Sequence, residues 1–275
     1  MRTSDTGACA LVSSYGVRVA LRGSDSAALY LLLDGLPGRW KPANGASRAR
    51  RVYSLTRRPR RRPRFVLYRD DTELVNSDDP DRVRELFIGS VGFYVAESAR
   101  TRTFVHAGVV GWRGRAIVVP GRQGSGKTTL TAALVRAGAT YLSDEYAPLD
   151  DRGFVDPFVR PLSVRQPDGE SVRLHEVEAL GGVRETRKLP VGLVVVAPFT
   201  GVSRWRPRRL PPGEAVLELL AHTVTAQTNP RQALDRLGAL AVAATVVKGS
   251  RGDADQTAHA ILTRVGTLSA GVRSG

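Results

Sequence analysis

A chain of 275 residues with 42% hydrophobic residues is long enough for one large domain or two smaller ones, and this composition excludes a disordered protein. No apolar run approaches the roughly 20 residues that cross a bilayer. The polar residues 1–6 precede no apolar signal core, so we expect a cytoplasmic protein that does not contact membranes. The single cysteine, Cys9, excludes an internal disulfide and a cysteine metal site.

The formal net charge of +15 at first suggests a nucleic-acid or membrane-surface partner, but the distribution of this charge argues against it. Nearly all of it comes from arginine, and the arginines are densest in residues 48–64. Prolines and like charges there favour a solvated loop. No aromatic residues alternate with these arginines to stack bases. We favour a loop without a specific role and leave open the docking of an acidic peptide or protein.

The first 100 residues predict a small α+β domain. Alternating apolar and polar residues over 17–22 and 64–69 are typical of half-exposed strands. A helix is predicted over 26–33, and a second one over 81–99, where Pro80 occupies the start. The domain is therefore expected to span residues 1–100.

Residues 101–275 predict an α/β domain. The expected strands are 104–110, 115–119, 140–142, 191–197 and 244–247, with a hairpin turn over 111–114. The expected helices are 129–137, 212–223, 230–242 and 253–265. Gly138 closes the first of these helices, and Asn229 with Pro230 begins the third.

The turn between strand 115–119 and helix 129–137 fits the phosphate-binding pattern G-x-x-x-x-G-K-[ST] at every fixed position. Its residues are Gly121, Arg122, Gln123, Gly124, Ser125, Gly126, Lys127 and Thr128, followed by Thr129 in the helix. Backbone N–H groups of such a loop and the helix dipole hold phosphate. Lys127 would offset charge on the β- and γ-phosphates, and the Thr128 hydroxyl would ligate Mg²⁺. The sequence thus predicts a nucleotide triphosphate site.

Two acidic residues, Asp144 and Glu145, follow the strand over 140–142. We expect this strand to be a parallel neighbour of the strand that enters the glycine loop, so that both carboxylates face the γ-phosphate. One would hold Mg²⁺, directly or through water, and the other would accept a proton from a hydroxyl nucleophile. His106 lies near the end of a strand, and by itself it is more typical of a structural histidine.

The segments 104–110, 120–130, 138–146 and 161–165 resemble the kinase domain of the HPr kinase/phosphorylase family, and most closely its HPr-kinase-related serine kinases. The resemblance implies a P-loop kinase core like the nucleotide-binding core of phosphoenolpyruvate carboxykinase, which uses ATP and Mg²⁺ to phosphorylate a serine. It implies that Lys127 and Thr128 bind phosphate and metal and that Asp144 is the base. It also makes Glu145 a second acid and His106 an active-site histidine.

This chain departs from that family in two places. The Glu-x-Arg-Gly-x-Gly pattern that accompanies phosphorolysis has no clean counterpart, since the nearest stretch, 176–182, lacks the arginine. Residues 1–100 do not resemble the family's amino-terminal domain. HPr as the substrate, phosphorolysis and the family's hexamer are therefore not carried over, although a homo-oligomer stays open.

The leading hypothesis is a Mg-ATP-dependent kinase that acts on a serine hydroxyl of a peptide, a protein or a small molecule. Arg160, Arg165 or Arg204 would clamp the migrating phosphoryl group. The alternative is a nucleotide-binding switch or NTPase that transfers phosphate to no acceptor. A guanine-reading Asn/Thr-Lys-x-Asp segment, which would favour a GTP switch, is not found. A third hypothesis is a binding module that has lost catalysis, against which Lys127, Thr128 and Asp144 argue.

Overall fold

A computed structural model describes residues 7–43, 49–58, 63–122, 124–165, 172–202 and 204–270, which form a mixed α/β fold. Contacts divide the chain into two units, Met1–Thr101 and Arg102–Gly275. Each unit contains its own core of buried apolar side chains. In the described part of the chain, no helix is both long and apolar enough to cross a membrane.

The first unit is a sheet with two helices packed on one face. Its elements are β1 (Ala8–Ser14), β2 (Val17–Gly23), α1 (Ser26–Asp34), β3 (Lys41–Pro42), β4 (Val52–Arg58), β5 (Arg64–Arg69), β6 (Thr72–Ser77) and α2 (Pro80–Ser98). The strand order is β3-β1-β2-β4-β5-β6. Alternate side chains of the strands pack against Leu32 of α1 and Phe87 of α2. The predicted helices and the two predicted strands are confirmed.

The helices of this unit begin where their caps predict. The Asp25 carboxylate accepts a hydrogen bond from the Ala28 amide at 2.7 Å, and the Asp79 carboxylate accepts one from the Asp81 amide at 2.9 Å. Pro80 occupies the first turn of α2, where its missing N–H costs nothing. Of these signals the sequence analysis used only Pro80, and the two aspartate caps were found in the structure.

The loop prediction for the arginine-rich residues 48–64 is wrong over Val52–Arg58, which forms β4, whereas Arg64 begins the predicted strand over 64–69. β4 continues to Arg58, β5 begins at Arg64, and these two residues face each other in the antiparallel pair. Strand pairing tolerates the like charges because the side chains stand at the exposed end of the sheet, where Arg57 pairs with Asp25 at 3.1 Å. Residues 44–48 and 59–62 lie outside the described residues.

The second unit is a sheet with helices on both faces. Its strands are β7 (Thr103–Trp112), β8 (Arg115–Pro120), β9 (Thr140–Ser143), β10 (Tyr146–Leu149), β11 (Phe154–Val155), β12 (Leu162–Arg165), β13 (Val172–His175), β14 (Leu189–Val196), β15 (Arg208–Arg209) and β16 (Thr245–Lys248). Its helices are α3 (Lys127–Arg136), a 3₁₀ turn (Val177–Leu180), α4 (Pro212–Leu220), α5 (Pro230–Ala243) and α6 (Ala254–Ala270).

The main sheet of this unit has the order β11-β10-β7-β8-β14-β16-β15, and β9 also pairs with β7. β8, β14 and β16 are parallel, and the continuous apolar runs of β8 and β14 are buried on both faces. α3 and α6 cover one face, and α4 and α5 cover the other. This arrangement places the loops after β8, β14 and β16 at the same edge of the sheet.

Two local predictions differ from the structure. The hairpin turn is Arg113 and Gly114 alone, because β7 continues to Trp112. The strand over 140–142 is not a neighbour of β8. It forms β9, which pairs antiparallel with β7, and β7 lies between β9 and β8. β9 and β8 still point in the same direction, because both are antiparallel to β7, so the residues after each strand reach the same edge.

Candidate functional site

A glycine-rich turn, residues 121–126, joins the buried strand β8 to helix α3. Gly124 and Gly126 have φ values of 81° and 77°, a left-handed conformation that residues with a Cβ rarely adopt. A Cβ on Gly121 would lie 2.5 Å from the Ser125 Oγ atom. The amide of Ser125 donates to the Arg122 carbonyl at 3.2 Å. Arg122, Gly124 and Thr129 are exposed, whereas Gln123 lies outside the described residues.

Lys127 begins helix α3 and is only 7% exposed. The helix lies close to β7, since a Cβ on Gly108 would be 2.1 Å from the Thr131 Oγ1 atom and 3.4 Å from the Lys127 Cγ atom. Thr131 in turn donates from its hydroxyl to the Lys127 carbonyl at 3.0 Å. The glycine at position 108 therefore allows the close approach that fixes the first turn of the helix.

Asp144 and Glu145 lie at a break between β9 and β10, two strands that pair with successive parts of β7. The Ser143 Oγ atom accepts hydrogen bonds from the amides of Glu145 at 3.2 Å and Tyr146 at 3.1 Å, which forms a tight turn at the break. The Glu145 carbonyl accepts from the Ala107 amide at 3.0 Å. Because of this turn, the two carboxylates point to different partners.

The Asp144 carboxylate contacts the helix that carries Lys127. Its Oδ2 atom accepts a hydrogen bond from the Thr128 hydroxyl at 3.0 Å, and the residue is 4% exposed. The Oδ1 atom is buried and has no hydrogen-bond partner among the described residues. Burial raises the pKa of Asp144 to about 6, although the charges of Lys127 and Arg160 and the Thr128 hydrogen bond oppose the shift.

The Glu145 carboxylate is held by two basic side chains. His106 Nε2 lies 3.0 Å from Oε1, and Arg160 Nη1 donates to Oε2 at 2.7 Å. Burial alone would raise the pKa of Glu145, but the hydrogen bond from His106 and the charge of Arg160 lower it to about 2. Glu145 is therefore ionised throughout the physiological range.

His106 lies between Glu145 and Lys127. Its Nε2 atom is 3.4 Å from Lys127 Nζ as well as 3.0 Å from Glu145. This nitrogen carries one proton at most, so it either donates to Glu145 or accepts from Lys127. Donation to the ionised Glu145 satisfies the shorter contact, and it leaves the Lys127 ammonium available to another acceptor.

The structure thus brings four predicted site residues together: Lys127 and Thr128 at the start of α3, Asp144 after β9, and His106 on β7. Glu145 and the candidate arginine Arg160 join through their ion pair. Arg204 is exposed and makes no hydrogen bond or ion pair to these residues in the described structure, whereas the side chain of Arg165 lies outside the described part.

Two residues near the site were missed by the sequence analysis. The carbonyl of His222, which follows α4, accepts a hydrogen bond from the His106 amide at 2.7 Å. Burial lowers the pKa of His222, and the nearby His106 and Arg122 lower it further. Arg251, which follows β16, donates to the Gly126 carbonyl at 2.7 Å. Neither residue belongs to a recognisable motif, and each reaches the site only through the order of the strands.

The described residues contain no cluster of three or more His, Cys, Asp or Glu side chains that could hold a metal ion. A magnesium ion bound with a nucleotide takes most of its ligands from phosphate and water, so such a cluster is not needed. The Thr128 hydroxyl and the unpartnered Asp144 Oδ1 atom are oxygen donors of the kind that Mg²⁺ prefers. These residues fit a magnesium nucleotide.

Comparison with known proteins gives a distant likeness. No family model matches the chain, and no curated protein matches it in sequence. Among solved structures, the Hpr(Ser) kinase/phosphatase from Coxiella burnetii is similar over 61% of this chain and 98% of that chain, with 14% identity and a TM-score of 0.34. At this TM-score the likeness assigns neither a fold, an activity nor a substrate to this chain.

Proposed function

We propose that this protein is a Mg-ATP-dependent kinase that transfers the γ-phosphoryl group to a serine hydroxyl of a peptide, a protein or a small molecule. We also infer that its second unit is a P-loop kinase core of the HPr kinase and phosphoenolpyruvate carboxykinase type. The observation that carries the proposal is the 3.0 Å hydrogen bond between Thr128 and Asp144, with Lys127 buried beside it.

Phosphate binding is assigned to residues 121–129. The left-handed glycines allow the backbone of the turn to curl, and the start of α3 supplies the positive end of a helix dipole. Lys127 adds a cation at the same point, where it would neutralise charge that develops on the transferring group. Because these groups are fixed before binding, they need little rearrangement to stabilise that charge.

Metal binding is assigned to Thr128 and Asp144. Bound Mg²⁺ with ATP would supply the phosphoryl donor and neutralise its charge. Thr128 would provide a direct hydroxyl ligand, and Asp144 would hold a metal-bound water through its unpartnered Oδ1 atom. Both oxygens of Glu145 already accept hydrogen bonds, so we place Glu145 as an outer ligand that orients His106.

Proton transfer is assigned to Asp144 because the two neighbouring acids have different pKa values. A group whose pKa of about 6 lies near neutral pH is a more effective base than one whose pKa is about 2. Asp144 would therefore accept the proton of the serine hydroxyl. Arg160, which pairs with Glu145, would be the arginine that stabilises the transferring group.

Binding of Mg-ATP is the first test, and isothermal titration calorimetry measures it. We expect the wild type to bind and Lys127→Ala to lose most of its affinity, because the lysine is buried at the start of the helix. Lys41→Ala is a matched control, since Lys41 is exposed on β3 of the other unit. A wild-type protein that releases no heat with Mg-ATP would contradict the proposal.

Phosphoryl transfer is the second test. Incubation with γ-labelled ATP and a library of serine-containing peptides and metabolites should label an acceptor, identified by mass spectrometry. The same library with threonine or alanine in place of serine is the control for acceptor specificity. ATP hydrolysis that labels no acceptor would favour the nucleotide-binding switch.

A further inference from the structure

Arg251 is the most deeply buried basic side chain near the candidate site, with 2% exposure. Its backbone is fixed to the segment that follows β14. The Arg251 amide donates to the Pro198 carbonyl at 3.0 Å, and its carbonyl accepts from the Thr200 amide at 2.9 Å. These hydrogen bonds between the segments that follow the neighbouring strands β14 and β16 thus fix the position of the Arg251 backbone.

The guanidinium of Arg251 reaches the junction between the glycine turn and α3. Its Nη2 atom donates to the Gly126 carbonyl at 2.7 Å, and its Nη1 atom donates to the Gly252 carbonyl at 3.1 Å. The Gly126 carbonyl also accepts from the Leu130 amide at 3.1 Å, which is the first hydrogen bond of the helix. A Cβ on Gly126 would lie 2.4 Å from Arg251 Nη2, so only glycine leaves room for this contact.

The charge of Arg251 is not neutralised within the described structure. Among the described residues Arg251 forms no ion pair with a carboxylate, and its Nε atom is buried without a hydrogen-bond partner. The ring of Phe199 lies 5.5 Å from the guanidinium carbon and covers one side of it. Burial lowers the pKa of Arg251, an effect that Asp253 partly opposes.

A buried cation without an anionic partner is costly, and such groups are typical of sites that bind an anion. Lys127 lies next to Gly126 in the chain, so the two cations flank the same turn. An arginine that bonds the loop backbone both fixes the loop conformation and adds positive potential where a phosphate would enter. Asp253 acts on this charge through space but forms no ion pair with it in the described structure.

We propose that Arg251 is a positioning residue of the phosphate site: it fixes the Gly126 carbonyl at the start of α3, and its unpaired charge strengthens the attraction for the triphosphate. The inference rests on the proposed function and adds to it an electrostatic partner outside the glycine motif. It assigns no chemical step to Arg251.

Comparison of Arg251→Lys with Arg251→Gln separates the charge from the packing. Glutamine keeps hydrogen-bond donors and loses the charge, whereas lysine keeps the charge. We expect Arg251→Gln to weaken Mg-ATP binding about tenfold or more, and Arg251→Lys to stay within about threefold of the wild type. Calorimetry measures the affinities, and thermal unfolding of the ligand-free proteins shows that each variant is folded.

Arg136→Gln is the matched control, because Arg136 lies at the other end of α3 and pairs with the exposed Asp255. Its affinity should equal that of the wild type. Equal binding by Arg251→Gln and the wild type, or equal losses in the lysine and glutamine variants, would overturn the inference while leaving the kinase proposal intact. If Arg251→Gln does not unfold cooperatively, Arg251→Met replaces it with the same expectation. Absence of wild-type binding would instead reject the kinase proposal and this inference together.

Discussion

Asp144 and Glu145 are adjacent in the chain, yet they lie in two regions of the site with opposite electrostatics. The region around Asp144 is buried and offers its carboxylate one hydroxyl donor, and the Oδ1 atom has no hydrogen-bond partner among the described residues. Burial therefore raises the pKa of Asp144 to about 6. The region around Glu145 offers a histidine and an arginine, so the pKa falls to about 2. The comparison shows that partners, rather than residue type, divide the two acids into a candidate base and a fixed counter-ion.

The largest expected effect is on catalysis. If Asp144 is the base, Asp144→Asn should lower phosphoryl transfer by about 10²–10⁴-fold, because a neutral amide cannot accept the proton. The rate of acceptor labelling with γ-labelled ATP measures this loss. Asp255→Asn, which changes an exposed acid on α6, should leave the rate unchanged. An Asp144→Asn enzyme that keeps a wild-type rate would place the base elsewhere.

The same substitution should stabilise the ligand-free protein. The folded-state pKa of Asp144 is raised from 3.8 to about 6, so its contribution favours folding at low pH and is lost as pH rises between these values. At pH 7, Asp144→Asn should therefore raise the free energy of unfolding by about 2–3 kcal/mol. Urea denaturation measures the difference, which should vanish below about pH 4. A destabilised variant at pH 7 would contradict the raised pKa.

Replacement of Glu145 should change the free energy of unfolding in the opposite direction. Its folded-state pKa is lowered from 4.5 to about 2, so its stabilisation is present above pH 4.5 and is lost as pH falls towards 2. Glu145→Gln should lower the free energy of unfolding at pH 7 by about 1–2 kcal/mol, because the side chain is partly exposed and Arg160 loses a carboxylate partner.

Glu214→Gln is the control for this change, because Glu214 also pairs with an arginine, Arg208, but both side chains are exposed. Its effect should stay below about 1 kcal/mol. Equal effects of the two substitutions in urea denaturation would show that the Glu145 network contributes no more than a surface ion pair.

The smallest expected effect concerns His106. His106→Gln removes a hydrogen bond that lowers the pKa of Glu145, so this pKa should move up towards 4.5. The loss of stability at pH 7 should be about 1 kcal/mol or less. NMR titration of the Glu145 carboxyl measures the shift. His259→Gln is the control, because His259 lies on α6 and its ring contacts the Asp255 carbonyl. An unchanged titration curve of Glu145 would show that His106 does not lower the pKa of this carboxyl.

Local sequence signals predicted many of the individual elements. Helices α1, α2, α5 and α6 were found from their residue patterns, and the prolines at the start of α2 and α5 were also predicted, but the Asn229 side chain does not cap α5 with a hydrogen bond. The strands with continuous apolar runs, β8 and β14, were also found. Short strands such as β10 and β11 were missed, because a few residues carry too little pattern to distinguish a strand from a loop.

The neighbours of each strand could not be predicted from local pattern. β7 lies between β8 and β9, and the break after β9 directs the carboxylates of Asp144 and Glu145 to different partners. Both features depend on pairing between segments that are distant in the chain. The same holds for Arg251, which reaches the site from a loop 125 residues after Gly126, whereas Arg160 was one of three candidate arginines among which the sequence could not choose. Their positions follow from the packing of the whole sheet, which no short window of sequence contains.

The sequence by itself determined the glycine turn, the lysine and threonine that follow it, and the acidic pair, because each depends on residue types at short spacings. Only the tertiary structure decided the different surroundings of the two acids and the burial of Arg251 at Gly126. Charge, burial and hydrogen bonding act through space, so the pKa of a carboxylate is set by side chains that folding brings next to it.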